Sequence, residues 1–357
     1  MAGVATTTGE NNVAIGHDAF AVSAADGDRN VAIGFQSMTA GLVIGADNVA
    51  IGSNALDNLT SGTDNIAIGS NAGDGTTSAA DTIAIGHDAM SAAVTTGGSN
   101  IAIGKLSLKS MKGGTNNIGI GYRALRDTSD TAARNIAIGD QVAFDGALTG
   151  LDNIIMGTET ATAATSLAQN VIIGHKAVLT GEMTGDDNVI LGTQAANFAT
   201  SLASNVIIGH NAAQEAVGGA NRNIIMGYSS SAKITTGANN IILGTSAGST
   251  LGSAVTTNTH NVLIGTRASA SSGLDNAYAI GQGASVTQGD SMVLGSQTGK
   301  RFTIGMGGIT APNATLEVSG TMNITGSLTV SGSSTFKNIG HAIMLSQEKY
   351  DTVDVAD

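Results

Sequence analysis

Several short stretches of this chain imitate chemistry. Gly119-Ile-Gly121-Tyr-Arg-Ala124 has the glycine spacing of a phosphate-cradling dinucleotide fingerprint, and Gly244-Thr-Ser246-Ala-Gly248 that of a strained nucleophile turn. His17, His87, His175 and His210 are imidazoles that could line up as a metal ring. Asp26-Gly-Asp28 and Asp186-Asp187 offer carboxylates on turns that could take Ca²⁺. Phe20, Phe35, Tyr122 and Tyr228 are candidates for exposed aromatics on outer turns, where a receptor could be read.

Each of the first three imitations dissolves into one repeated phrase. Asn48-Val-Ala-Ile-Gly52 recurs with closing glycines at 16, 34, 52, 69, 86, 104, 121, 139, 157, 174, 192, 209, 227, 244 and 265, with looser copies ending at Gly281 and Gly295. Gly121 and Gly244 are two of these glycines, and all four histidines directly follow one. There is no His-x-His pair and no nonapeptide calcium repeat. We therefore assign no catalytic, cofactor or metal residues, and no enzymatic activity.

The steps through Gly244 are 17 or 18 residues, often pairing to 35. One apolar triplet per fixed period is the mark of a solenoid, and three apolar residues suit a short strand buried on both faces. The expected fold is all-β, a parallel solenoid of about 17 coils stacked roughly 4.8 Å apart into a rod of about 80 Å. Asn stands four residues before Gly in 14 of the first 15 copies, with Thr82 the exception. Asn48, Asn65, Asn170 and Asn205 should stack into an amide ladder. Gly52, Gly69, Gly174 and Gly209 should mark a corner that needs positive φ or close backbone approach. The residue three after Gly is small or Thr (Ala19, Ala55, Ala72, Thr160, Ala212, Ala268), only Val142 being bulkier, which suggests a second inward position.

The triplet alternates, so Val49 and Ile51 point one way and Ala50 the other. We assign the Val49-type and Ile51-type residues to the coil interior and the central residue to a seam with partner chains, because neither face is polar. Central residues are small through Ala137 and become Ile155, Ile172, Ile190, Ile207, Ile225, Ile242 and Leu263. On this assignment the chains should diverge or rotate near residues 139–157.

Composition points the same way. The 357 residues hold 50 Gly, one Pro, no Cys and no Trp, with 3% aromatics, unlike an ordinary enzyme core. A formal charge of −12 argues against nucleic-acid partners. No apolar run is long enough to insert in a membrane. Residues 1–9 read as a short polar lead and 10–299 as the repeat domain. Residues 300–338 change rhythm to a period of six, with Leu316/Val318, Met322/Ile324 and Leu328/Val330 on one face. Such thin strips imply intertwined chains. Residues 339–357 read as a strand and a loose acidic tail.

The Asn-Val-Ala-Ile-Gly-x-x-Ala pattern over roughly residues 10–298 resembles the head repeats of trimeric autotransporter adhesins, and the longer version of that repeat in bacteriophage tail fibres. The segment Ala314–Phe336 looks like phage-fibre shaft, and Leu345-Ser-Gln-Glu-Lys-Tyr-Asp351 resembles a short motif of phage structural proteins. The period departs from the adhesin heads, which favour 14. The resemblance implies a left-handed β-roll in a homotrimer and a structural, non-enzymatic fibre protein of a virion, with other virion proteins and a host receptor or glycan as partners. A bacterial trimeric surface adhesin, a polysaccharide-degrading tailspike and an ice-binding solenoid are the rivals, the last weakened by scattered rather than laddered Thr.

Overall fold

The computed structural model describes residues 9–295, apart from 22–26, 40–42, 93–94, 130, 147, 181–182, 217 and 250–256, together with the backbone of 304–306 and 316–318. The chain divides into two units, Met1–Lys300 and Arg301–Asp357. All described elements are strands.

In the first unit every triplet is a strand, and each pairs in parallel with the next, rung on rung: Val49–Ile51 lies against Ile66–Ile68, which lies against Ile83–Ile85. The result is one parallel sheet of 17 strands, a β-solenoid. Shorter pairings such as Ser166–Ala168 with Thr184–Asp186, and bridges such as Thr115 to Ala133 to Leu151, tie the coils together on the segment that precedes each Asn.

The asparagines form the expected ladder, and its hydrogen bonds explain why the residue is Asn. The backbone N–H and the side-chain amide of Asn170 both donate to Asn153 Oδ1, at 3.0 and 3.2 Å. The remaining amide hydrogen is shared between the Ala168 carbonyl, at 2.9 Å, and the Gly185 carbonyl one coil further on, at 3.0 Å, and Asn170 Oδ1 accepts from the backbone and side-chain nitrogens of Asn188. A buried amide with every donor and acceptor engaged is stabilising, whereas an unsatisfied one is costly. Neither Asp nor Thr has this inventory. Thr82 takes the incoming bond, from its N–H to Asn65 Oδ1, but offers no amide, so the rungs run from Asn12 to Asn65 and resume at Asn100. Thr82→Asn should join the two runs and raise stability by about 1 kcal/mol, the net worth of one hydrogen bond. A denaturant midpoint that moves up at constant slope checks this; an unchanged or lower midpoint refutes it.

The glycine corner is also as expected. Gly52 has φ of +137°, and a Cβ there would lie 2.4 Å from the Gly69 carbonyl oxygen. Three further columns adopt the left-handed region mostly with residues other than glycine: the residue before each Asn (Asp47, Asp64, Asn116), the second after each Gly (Asn54, Asn71), and the fourth after it (Met38, Leu56, Leu108). Asn and Asp tolerate this region. Leu and Met do not, at about 1–3 kcal/mol each. In the fourth-residue column the strain is offset because Met38, Leu56 and Leu108 are fully buried and their N–H groups are used, as in Leu108 N–H to Ala124 O at 2.9 Å.

The two faces of the triplet are the reverse of the sequence assignment. The central residues, from Ala32 and Ala50 to Ile155, Ile190 and Leu263, are buried inside their own coil, while the flanking residues point outward. The change from Ala to Ile midway is therefore not a change at a seam between chains. It is compensated across the core by the fourth residue after Gly. That column holds Phe20, Met38, Leu56, Met90, Leu108 and Leu125 where the triplet centre is small, Gly73 being the exception. It holds Ala143 one coil before the switch and Ala161, Ala196, Ala213 and Ser231 after it, Val178 being the bulky exception. The two columns face each other: a Cβ on Gly119 would sit 3.1 Å from Leu108 Cγ, and one on Gly248 would sit 3.4 Å from Ile242 Cδ1. Along most of the stack the bulk thus moves from one wall to the other, the kind of swap that cores tolerate. The position three after Gly is buried as expected, at Ala19, Ala55, Val142 and Thr160.

In the second unit, Ile304–Met306 and Leu316–Val318 pair in parallel, with Ile304 opposite Leu316. The later hexads and the stretch 339–357 lie outside the described residues.

Candidate interaction surfaces

With the central residues inside, the first and third residues of each triplet form two outward columns along the sheet. Val13, Ile15, Ile51, Ile66, Ile68, Ile103, Ile154, Ile173, Ile224, Met226, Ile241 and Met292 are all exposed, and the other flanking residues are half-buried. The stripe carries no charge along its length. On its Gly side runs a column containing His17, Phe35, His87, Tyr122, His175, His210 and Tyr228. Stacking of coils stacks rings: His17 lies on Phe35 at 5.6 Å and His210 on Tyr228 at 5.1 Å. His17 and His87 each also approach the following Asp at 3.0 Å.

Phe35, Tyr122 and Tyr228 are exposed, as the sequence suggests. Phe20 is not. It is the fourth residue after Gly16 and fills the core opposite the small triplet centres. Asp26 lies outside the described residues. Asp28 Oδ1 accepts from the Glu10 N–H and Asp186 Oδ1 from the Ala168 N–H, so these carboxylates tie coil to coil. Among the described residues no group of three or more His, Asp or Glu side chains converges as a metal site would require. Gly119-Ile-Gly121 and Gly244–Gly248 occupy the same strand and corner as every other copy, with no helix following among the described residues. Also among these, no helix is long and apolar enough to cross a membrane.

The outer corner carries further ladders. Asn54 donates to Asn71 Oδ1, and Asn71 to Asp88 Oδ1. Arg29 and Asp47, like Arg134 and Asp152, pair through two parallel hydrogen bonds, which hold both aspartates below the usual carboxylate range. Asp74 goes the other way: burial first, then the charge of Asp57, pushes its carboxyl up, against a hydrogen bond from Asn58 that lowers it. A raised folded-state pKa means that the charged form opposes folding near neutral pH and that this penalty fades as pH falls through that pKa. Asp74→Asn should therefore raise the melting temperature near pH ~7, and the gain should vanish below the ordinary Asp value of about 3.9. A gain of the same size at both pH values would show that the charge is not its source.

One cluster was not singled out from the sequence. The Arg123 guanidinium lies over the Tyr122 ring at 4.7 Å and the Phe144 ring at 5.2 Å, and Arg126 lies over Phe144 at 4.2 Å. Arg126 pairs with Asp127 and, at 3.6 Å, with Asp145. Phe144 is separated from Tyr122 by a full coil, so only the stacking register brings them together. No family model matches this chain, and no curated protein sequence matches it.

Proposed function

We propose that this chain is the repeat rod of a homotrimeric virion fibre, a non-enzymatic protein that extends from a particle and presents its outer turns to a host surface. One observation carries the self-association: the uncharged apolar stripe of flanking triplet residues on a core that is already closed within one chain. Seventeen strands spaced about 4.8 Å apart, each contributing roughly three residues of about 3.3 Å, present on the order of 800 Å². That is about what one partner contributes to a standard stable interface. A second copy offers the same length, period and polarity, so identical chains in parallel can cover the stripe rung by rung. The repeat's resemblance to phage fibres supports the trimer and the virion setting.

Light scattering tests the assembly: the expected mass is three times the 35.2 kDa chain. Ile66→Asp combined with Ile224→Asp, both on exposed positions, should yield folded monomers. A wild-type chain that is a well-folded monomer would refute the trimer. Immunogold labelling of purified particles with an antibody to the chain tests the virion setting, and particles without label would count against it.

A further inference from the structure

Six of the 15 Lys and Arg residues fall between positions 105 and 134, a stretch with only two acidic residues. Its formal charge is thus 6 − 2 = +4, in a chain of net −12, and Asp140 and Asp145, which follow within the reach of Phe144, bring the stretch 105–145 to 6 − 4 = +2. The coils place part of this charge beside the aromatic cluster. The Arg123 N–H donates to the Lys105 carbonyl at 3.0 Å, which sets Lys105 one rung from Arg123. Ser110 N–H to Arg126 O, at 2.8 Å, brings Lys109 alongside Arg126 in the same way. Lys105 is exposed and Lys109 half-buried, and neither pairs with a carboxylate among the described residues. Arg123 Nε is buried with no hydrogen-bond partner, while Tyr122 is exposed beside it.

From this juxtaposition we propose that Lys105, Lys109, Tyr122, Arg123, Arg126 and Phe144 form a binding site for a polymer of carboxylate-bearing sugars. The inference rests on the attachment reading above and names the ligand class. The Arg123 guanidinium, which lies over the Tyr122 and Phe144 rings and pairs with no carboxylate among the described residues, can take a carboxylate through its terminal nitrogens. An exposed tyrosine offers an apolar body and a polar tip, which suits a sugar with both apolar and hydroxyl-bearing surfaces. Cations on successive rungs, about 4.8 Å apart, follow an extended chain along the rod axis. Nucleic acid fits less well: duplex DNA carries a charge about every 1.7 Å, and the acidic remainder of this chain repels so dense a polyanion.

The test uses the full chain and calorimetric titration with a polygalacturonate oligosaccharide, a neutral glucan of equal length and a single-stranded oligonucleotide. The oligogalacturonate should bind, more weakly as salt rises, and the other two should not. Lys105→Gln with Lys109→Gln, and separately Arg123→Gln, should each weaken binding about tenfold or more, a loss of about 1.4 kcal/mol. Melting curves and light scattering on the same samples report fold and assembly. Absence of oligogalacturonate binding to the folded wild-type chain, equal binding of the neutral glucan, preference for the oligonucleotide, or full affinity in folded variants would each overturn the site. A trimer that ignores oligogalacturonate sinks this inference and leaves the rod intact; a monomer that binds it does the reverse.

Discussion

Ile207→Asp is expected to lower the stability of the solenoid by roughly 3–5 kcal/mol, the penalty for leaving a charge buried and unpaired. Ile207 is fully buried at a triplet centre, with Ile190 and Ile225 in register on the rungs to either side. A carboxylate at this fully buried position, between two isoleucines, would be removed from water, and the loss of the Ile side chain adds to the cost. In a stack where each coil rests on its neighbours, the damage should spread to the coils on both sides. Thr96→Ala, on an exposed outer turn, should change stability by no more than about 0.5 kcal/mol. Ile224→Asp, on the outward column, should alter assembly mass before it alters the melting curve. Equal melting of the Ile207 and Thr96 variants would mean that the inward face has been misassigned.

The second large effect concerns the exchange of bulk between the two inner walls. Leu108→Ala should cost about 2–5 kcal/mol by opening a cavity opposite the small triplet centres. Gly119→Ile should cost about 1–3 kcal/mol, because its side chain would enter space held by Ser107 Oγ and Leu108 Cγ, 2.8 and 3.1 Å from an ideal Cβ. The double variant imitates the later coils, which combine Ala at the left-handed position with Ile at the centre of the next triplet, as in Ala196 with Ile207. It should therefore be more stable than the sum of the single losses allows, by about 0.5–3 kcal/mol. Strict additivity, measured by denaturant unfolding, would show that the two columns do not share one space.

These two experiments follow the line between what the sequence made legible and what it hid. The period, the parallel register, the Asn ladder and the Gly corner were all readable, because a stacked repeat places each recurrence at the same physical position. The direction of the triplet was not. Alternation separates two faces but says nothing of which is inside when Val, Ala and Ile are all apolar. The signal was present six residues downstream of the triplet centre, where Phe20, Met38, Leu56, Met90, Leu108 and Leu125 give way to alanines as the centres grow to Ile. Neither column reveals the compensation alone. Phe20 was misplaced for the same reason, since an aromatic on a presumed turn reads as exposed unless its column is recognised as a wall. The Arg–aromatic cluster was hidden because Tyr122 and Phe144 are neighbours only through the stacking of coils.

The amide ladder has a consequence for how such a gene can change length. Within a run of the ladder each Asn presents the same acceptor forward and the same donors backward, so on either side of the switch in core bulk a coil carries no mark of its place in the stack. Duplicating or excising one whole period leaves matching rungs on both sides of the cut, whereas losing a single residue within the triplet would turn the inner wall outward. Recombination between neighbouring copies can thus lengthen or shorten the rod in steps of one rung without a new core having to be invented.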